Sequence, residues 1–186
     1  CVVGAGVIGC EYATIFSAMG TKVHLVNNAQ HILGFLDHEI SSELVTLMAA
    51  DGTDILFGAE LAGVDAPASD DEDVNVRLQD GRAFGVDMFL FAAGRSGRTR
   101  DLNCEAAGVA IGKRETIVVN DKYQTNVPNI FAVGDVIGFP ALASTSMDQG
   151  RVAVSHMFEI DDFDSLPKIF PYGIYTIPEV SMVGMT

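Results

Sequence analysis

The stretch that most constrains this chain is Val2-Val3-Gly4-Ala5-Gly6-Val7-Ile8-Gly9-Cys10-Glu11. Apolar, β-prone residues run into glycines at 4, 6 and 9, a G-x-G-x-x-G spacing, and a helical pattern follows. Gly4 lets the chain turn tightly off a strand. Gly6 leaves the backbone open to a pyrophosphate, and Gly9 lets the helix lie close to a sheet. The opening helical residues, Val7 and Ile8, would offer unpaired N–H groups at the positive end of the helix dipole. Ile8, Tyr12, Ile15, Phe16 and Met19 recur at helical spacing, Gly20 marks a stop, and Lys22-Val23-His24-Leu25-Val26 reads as a second strand. The sequence thus predicts one strand–helix–strand unit around a dinucleotide-binding turn, rather than a bare glycine turn.

Of the 186 residues, 48% are hydrophobic, enough for a packed core, and no apolar run approaches the length of a membrane span. The chain opens at Cys1 inside a strand pattern, without Met or a signal peptide. It is therefore expected to be a fragment of a longer protein, in which a missing targeting segment means little. The net charge of −14 argues against nucleic acid or an anionic membrane as partner, but not against a dinucleotide held by backbone N–H groups. Cys1, Cys10 and Cys104 have no C-x-x-C or metal spacing, which favours a reduced, cytoplasmic setting. The four histidines form no ligand cluster, and no metal is expected.

The loop Asn27-Asn28-Ala29-Gln30-His31 lies where such sites read the adenosine ribose. It holds no Asp, Glu, Lys or Arg. Asn27 can bond a hydroxyl without repelling a phosphate, so both NAD and NADP, or a plain solvated loop, stay open. Asp37 is a candidate cap for a helix running to Ala50, with Asp51-Gly52 as its stop. Asp54 to Phe57 reads as a strand. Leu61–Asp65 and Val74–Leu78 flank the acidic run 66–73, a solvated hairpin tip, and Asp80-Gly81 signals a second turn. Together these predict a small antiparallel meander inserted in the α/β unit. Met88-Phe89-Leu90-Phe91-Ala92 reads as a buried parallel strand. Gly94 and Arg95 follow it, expected either to face the crevice of the glycine turn or to lead out of the domain. Ile130-Phe131-Ala132-Val133 reads as another strand, ending in Gly134-Asp135, with a helix from about Ser144 to Phe158. Asp135 either bonds a ribityl or ribose hydroxyl or caps the turn.

These blocks in this order resemble the flavin-dependent pyridine nucleotide–disulfide oxidoreductases over essentially the whole chain. The resemblance rests on residues 4–11, Ala93-Gly94-Arg95, Thr125 to Asp135, and Ile177-Pro178-Glu179-Val180-Ser181-Met182-Val183-Gly184. Gly9 to Ala13, Phe35-Leu36-Asp37, Leu142-Ala143-Ser144, Asp148 to Arg151 and Gly173 to Glu179 resemble the transhydrogenase branch in particular. The resemblance implies an α/β chain: a Rossmann-like NAD(P)-binding domain at 1–96 with its meander, then the second segment of an FAD-binding domain at 97–160. Residues 161–186 would be a linker and the start of a C-terminal dimerisation domain.

By the same resemblance, Asp135 bonds the flavin ribityl chain, and Leu142 and Ala143 open the helix aimed at the isoalloxazine. Glu11 stands beside the nicotinamide carboxamide, unless it is merely a first-turn acid favoured by the helix dipole. Gly94 borders the NAD site. FAD and NAD(P) are the implied cofactors, a homodimer the implied assembly, and hydride transfer between NADPH and NAD through the flavin the implied activity. The fragment alone would not turn over. The family pattern of Arg after the second strand is absent here, where Ala29, Gln30 and His31 stand. A disulfide reductase of the same family, needing an upstream cysteine pair and a downstream His-Glu pair, and a non-catalytic nucleotide-binding module are the alternatives.

Overall fold

The computed structural model describes residues 1–69, 72–160, 165–167 and 169–184. Part of the acidic run (Asp70, Asp71) and the charged linker Asp161, Asp162 and Asp164 lie outside the described residues. The chain divides into two compact units, one of Cys1–Gly94 with Pro171–Thr186 and one of Arg95–Phe170.

In the first unit, β1 (Val2–Val3) leads through the glycine turn into α1 (Val7–Ala18). Then follow β2 (His24–Val26), α2 (His38–Ala50) and β3 (Asp54–Leu56). After β4 (Leu61–Asp65), β5 (Val74–Leu78) and β6 (Ala83–Val86) the chain returns as β7 (Leu90–Phe91). The order β3-β2-β1-β7 is parallel throughout, with Val2 opposite Leu25 and Leu90. That is one half of a doubly wound nucleotide-binding sheet. β4-β5-β6 form a separate antiparallel sheet, with the predicted turn at Asp80-Gly81 between β5 and β6.

Asp37 caps α2 as its side chain predicts: Oδ1 accepts from Glu39 N–H at 2.8 Å. Leu44 and Met48 on α2 join Leu25, Ile32 and Leu33 in the main core. Two features depart from the plain apolar pattern. The buried face of α1 consists of Gly9, Cys10, Ala13 and Thr14, and the larger Ile8, Tyr12, Ile15 and Met19 face outward. Small residues let a helix lie close to a sheet, and this helix uses them there. The apolar run at 88–92 forms only a two-residue strand at the sheet edge, with Met88 and Phe91 exposed, because among the described residues no strand pairs beyond it.

Within the second unit, Val109, Ile117 and Ala132 form a small core. Where a strand is expected at 130–133, Phe131 makes a single bridge to Gln124 and the rest is loop. α3 (Ala143–Met157) follows, burying Val152 and Ala153. The last described stretch forms the hairpin of β8 (Tyr172–Ile174) and β9 (Val180–Met182), and Ile174 and Val180 complete the core of the first unit. The compact units divide at Gly94/Arg95, with residues 171–184 in the first of them.

Candidate dinucleotide sites

The glycine turn is fixed by contact. Gly4 has φ +101°, and a Cβ there would lie 2.7 Å from Ala92 O and Ala93 Cα. A Cβ on Gly9 would lie 1.7 Å from Gly4 O, so α1 presses on the turn. A Cβ on Gly6 would meet nothing within 4 Å. Gly6 is also the N-cap of α1, and no side chain caps this end. The N–H groups of Val7, Ile8 and Gly9 are those a helix leaves without intrahelical partners. An open glycine under unpaired helix donors fits a pyrophosphate. Gly94, with φ +137°, lies in the turn whose Ala92 and Ala93 touch Gly4.

The ribose loop is bound to this turn at both ends. Leu33 N–H donates to Ala5 O at 2.9 Å, and Ala5 N–H donates to Asn27 Oδ1 at 3.4 Å. Asn27 is buried, and its Nδ2 donates to Ala29 O at 3.2 Å and His31 O at 2.9 Å. The amide therefore braces the loop, and Asn28, Gln30 and His31 carry the exposed polar groups.

Glu11 lies in the second turn of α1, so the first-turn reading of this acid does not hold. Its Oε1 accepts from Tyr175 N–H at 2.9 Å, and Thr14 Oγ1 accepts from Ile177 N–H at 3.1 Å. Sequence reasoning missed Thr14, which carries no motif signal. Cys10 is fully buried against the sheet. Burial, and then the charge of Glu11, push its thiol up to about 12.

In the second unit Gly134 adopts φ +79°, and its N–H donates to the buried Gln149 Oε1 at 2.6 Å. This glutamine was also missed: a polar residue in mid-helix looks solvent-facing unless the turn it bonds is known. Arg95 reaches Asp135 at 3.1 Å, so the Gly94-Arg95 pair is divided between the units. Leu142 is the N-cap of α3, in extended conformation and without a side-chain cap bond. Its leading N–H groups, from Ala143 onward, are also without intrahelical partners. An exposed carboxylate after a left-handed glycine, with an uncapped helix start in the same unit, fits a polyhydroxyl chain and an electron-rich ring. Among the described residues no cluster of His, Cys, Asp or Glu could hold a metal ion, and no helix is long and apolar enough to cross a membrane.

Comparison with known proteins gives one family. The chain is 48% identical over 185 residues to the soluble pyridine nucleotide transhydrogenase of Colwellia psychrerythraea and 43% identical to that of Mycobacterium bovis. Both matches cover all of this chain and 39% of the relative, so the chain spans about two fifths of their length. The HOCl-induced flavoprotein disulfide reductase RclA from Escherichia coli superposes with a TM-score of 0.88 at 31% identity. That match covers 99% of this chain and 42% of RclA. Residues 1–150, which hold both glycine turns and the parallel sheet, match the profile described as pyridine nucleotide-disulphide oxidoreductase, and the chain belongs to that family.

Proposed function

We propose that this chain is the NAD(P)-binding part and the second FAD-binding segment of a soluble pyridine nucleotide transhydrogenase. Bound FAD would supply the chemistry, taking hydride from NADPH and yielding it to NAD. The observation that carries the reading is the uncapped start of α1 beneath the open Gly6. Gly4, Gly6, Val7, Ile8 and Gly9 receive the pyrophosphate, Glu11 orients the nicotinamide carboxamide, and Gly94 borders that site. The ribose is met by the loop that Asn27 braces. Gly134, Asp135, Leu142 and Ala143 serve the flavin, with Arg95 holding the Asp135 carboxylate. The working division is an NAD(P) domain at 1–96, an FAD segment at 97–160, and the lead-in to a dimerisation domain at 161–186. The full-length protein is read as a cytoplasmic homodimer that uses no nucleic acid; free Cys1, Cys10 and Cys104 support the reduced setting, and the net charge of −14 the exclusion of nucleic acid.

The test uses full-length, flavin-loaded protein with its cysteines alkylated. Hydride transfer from NADPH to thio-NAD, with no disulfide present, is the expected result. The likeness to RclA, itself a flavoprotein disulfide reductase, favours a second reading, disulfide reduction. Transfer abolished by alkylation, with disulfide reduction by the untreated enzyme, would select that alternative.

A further inference from the structure

Along one face, at the i, i+4, i+7 and i+8 spacing of a helix, α3 buries Thr145, Gln149, Val152 and Ala153. Gln149 is 1% exposed, and Leu or Met would fill a similar volume without taking an amide out of water. What the amide serves is a backbone group of another element: Oε1 accepts from Gly134 N–H at 2.6 Å. Gly134 is itself buried and left-handed, at φ +79°, so this N–H needs an acceptor inside the protein. A Cβ on Gly134 would lie 3.4 Å from Ser146 Oγ, and Ser146 Oγ donates to Leu142 O, at the N-cap of α3, at 2.8 Å. The turn that carries Asp135 thus rests on Ser146 and Gln149, which are neighbours on successive turns of α3. On its far side, Gly138 N–H donates to Asp135 O at 3.1 Å and Ile117 N–H to Val136 O at 2.9 Å. Only the Asp135 side chain is left exposed.

We propose that Gln149 is a positioning residue for the flavin: its amide ties the Gly134 turn to α3, so that the Asp135 carboxylate and the uncapped start of α3 meet one ligand at a fixed separation. This rests on the assignment of Gly134, Asp135, Leu142 and Ala143 to the flavin, and names what holds that set together. A carboxylate on the polyhydroxyl chain and a helix start at the ring act on two parts of one molecule. A shift of either group therefore costs binding. The carboxylate hangs on a glycine, whose backbone freedom only contacts remove. Packing against Ser146 limits how near the turn can come, whereas the Gln149 bond has direction and sets where it sits. A neutral acceptor also suits the place, since it takes the N–H without burying a second negative charge near Asp135. Loss of the bond should leave α3 in place, held by Val152 and Ala153, and let the turn shift.

The test is a double-mutant cycle on the FAD dissociation constant of the full-length holoprotein, read from the flavin fluorescence released on dilution. Gln149→Leu keeps the bulk and removes the acceptor, and should weaken FAD binding roughly tenfold. With Asp135→Ala already present, the same change should cost less than about threefold, because the group it positions is gone. A glutamine that merely packs the helix would cost the same factor in both backgrounds. Equal factors, or parental FAD affinity in Gln149→Leu, overturn the inference. Circular dichroism reports folding. If Gln149→Leu does not fold, Gln149→Asn, whose amide is one methylene short of Gly134, is compared in the same two backgrounds with the same expectation. Parental FAD affinity in Asp135→Ala would instead remove the flavin assignment, and this inference with it.

Discussion

Glu11 and Tyr175 are 164 residues apart in sequence, yet the Glu11 carboxylate accepts the Tyr175 N–H at 2.9 Å. One turn along the same helix, Thr14 accepts the Ile177 N–H at 3.1 Å while donating to the carbonyls of Cys10 and Glu11. These bonds clamp the 175–177 loop to α1, next to the glycine turn. Glu11→Ala should leave Tyr175 N–H to solvent and loosen that loop at a cost of about 1 kcal/mol. Glu11→Gln keeps an acceptor oxygen and should retain most of the protection. Amide hydrogen exchange at Tyr175 and Ile177 separates the two, and equal protection in Glu11→Ala and the parent would contradict the clamp.

The glycines of the turn should divide sharply by variant. At Gly9 an added methyl meets the Gly4 carbonyl, and at Gly4 it meets Ala92 in a backbone conformation that L residues avoid. Gly9→Ala should therefore destabilise by about 1–3 kcal/mol. Gly6→Val places its side chain in open space and should change stability by less than about 1 kcal/mol. That side chain stands where the pyrophosphate must approach, so NADH binding should drop at least tenfold. Thermal melts and NADH titrations of the full-length variants check both halves. A Gly6→Val protein that binds NADH normally would remove the turn from the site.

Much of this was readable locally. A glycine turn, the Asp37 cap with its Gly52 stop, and Asp80-Gly81 are short-range signals, and the elements they predict are present. Information carried by distant partners was not readable. The buried face of α1 is chosen by the closeness of the sheet, so Gly9, Cys10 and Ala13 go inside while Tyr12 and Met19 face out. Asn27 looks like a ribose ligand until its amide is seen bracing Ala29 and His31. Gln149 falls inside the Asp148 to Arg151 block, but its role shows only once Gly134 is seen to bond it. Edge position, too, is a property of the sheet, and it is what exposes Phe91.

Arg95 and Asp135 make an ion pair whose side chains are 65% and 51% exposed. Such pairs contribute about 0–1 kcal/mol. Arg95→Ala should accordingly leave the melting temperature nearly unchanged. Its effect should appear in flavin retention, more weakly than that of Asp135→Ala, which removes the carboxylate itself. Flavin content after gel filtration measures both. Full retention in Asp135→Ala would detach this residue from the flavin.

Cys10 offers a prediction in which pH enters with a definite sign. Its thiol is buried beneath α1, bonds the Ala5 carbonyl at 3.5 Å, and is pushed up to about 12 by burial and by Glu11. The thiolate is the reactive form, so Cys10 should resist iodoacetamide at neutral pH, and still at pH 9, below its raised value. Cys1 and Cys104, both partly exposed, should be labelled before it. Because the shift belongs to the folded state, urea should bring Cys10 back to ordinary reactivity, increasing as pH rises through the usual thiol range. The unfolded chain releases this proton more readily, so the buried thiol destabilises the fold progressively as pH climbs from that range toward the folded value. Cys10→Ala removes this alkaline term and should lessen the loss of stability above about pH 9. Peptide mapping of the labelled protein and melts across that interval test the two claims. Early labelling of Cys10 in native protein would mean that the helix opens there far more often than its packing implies.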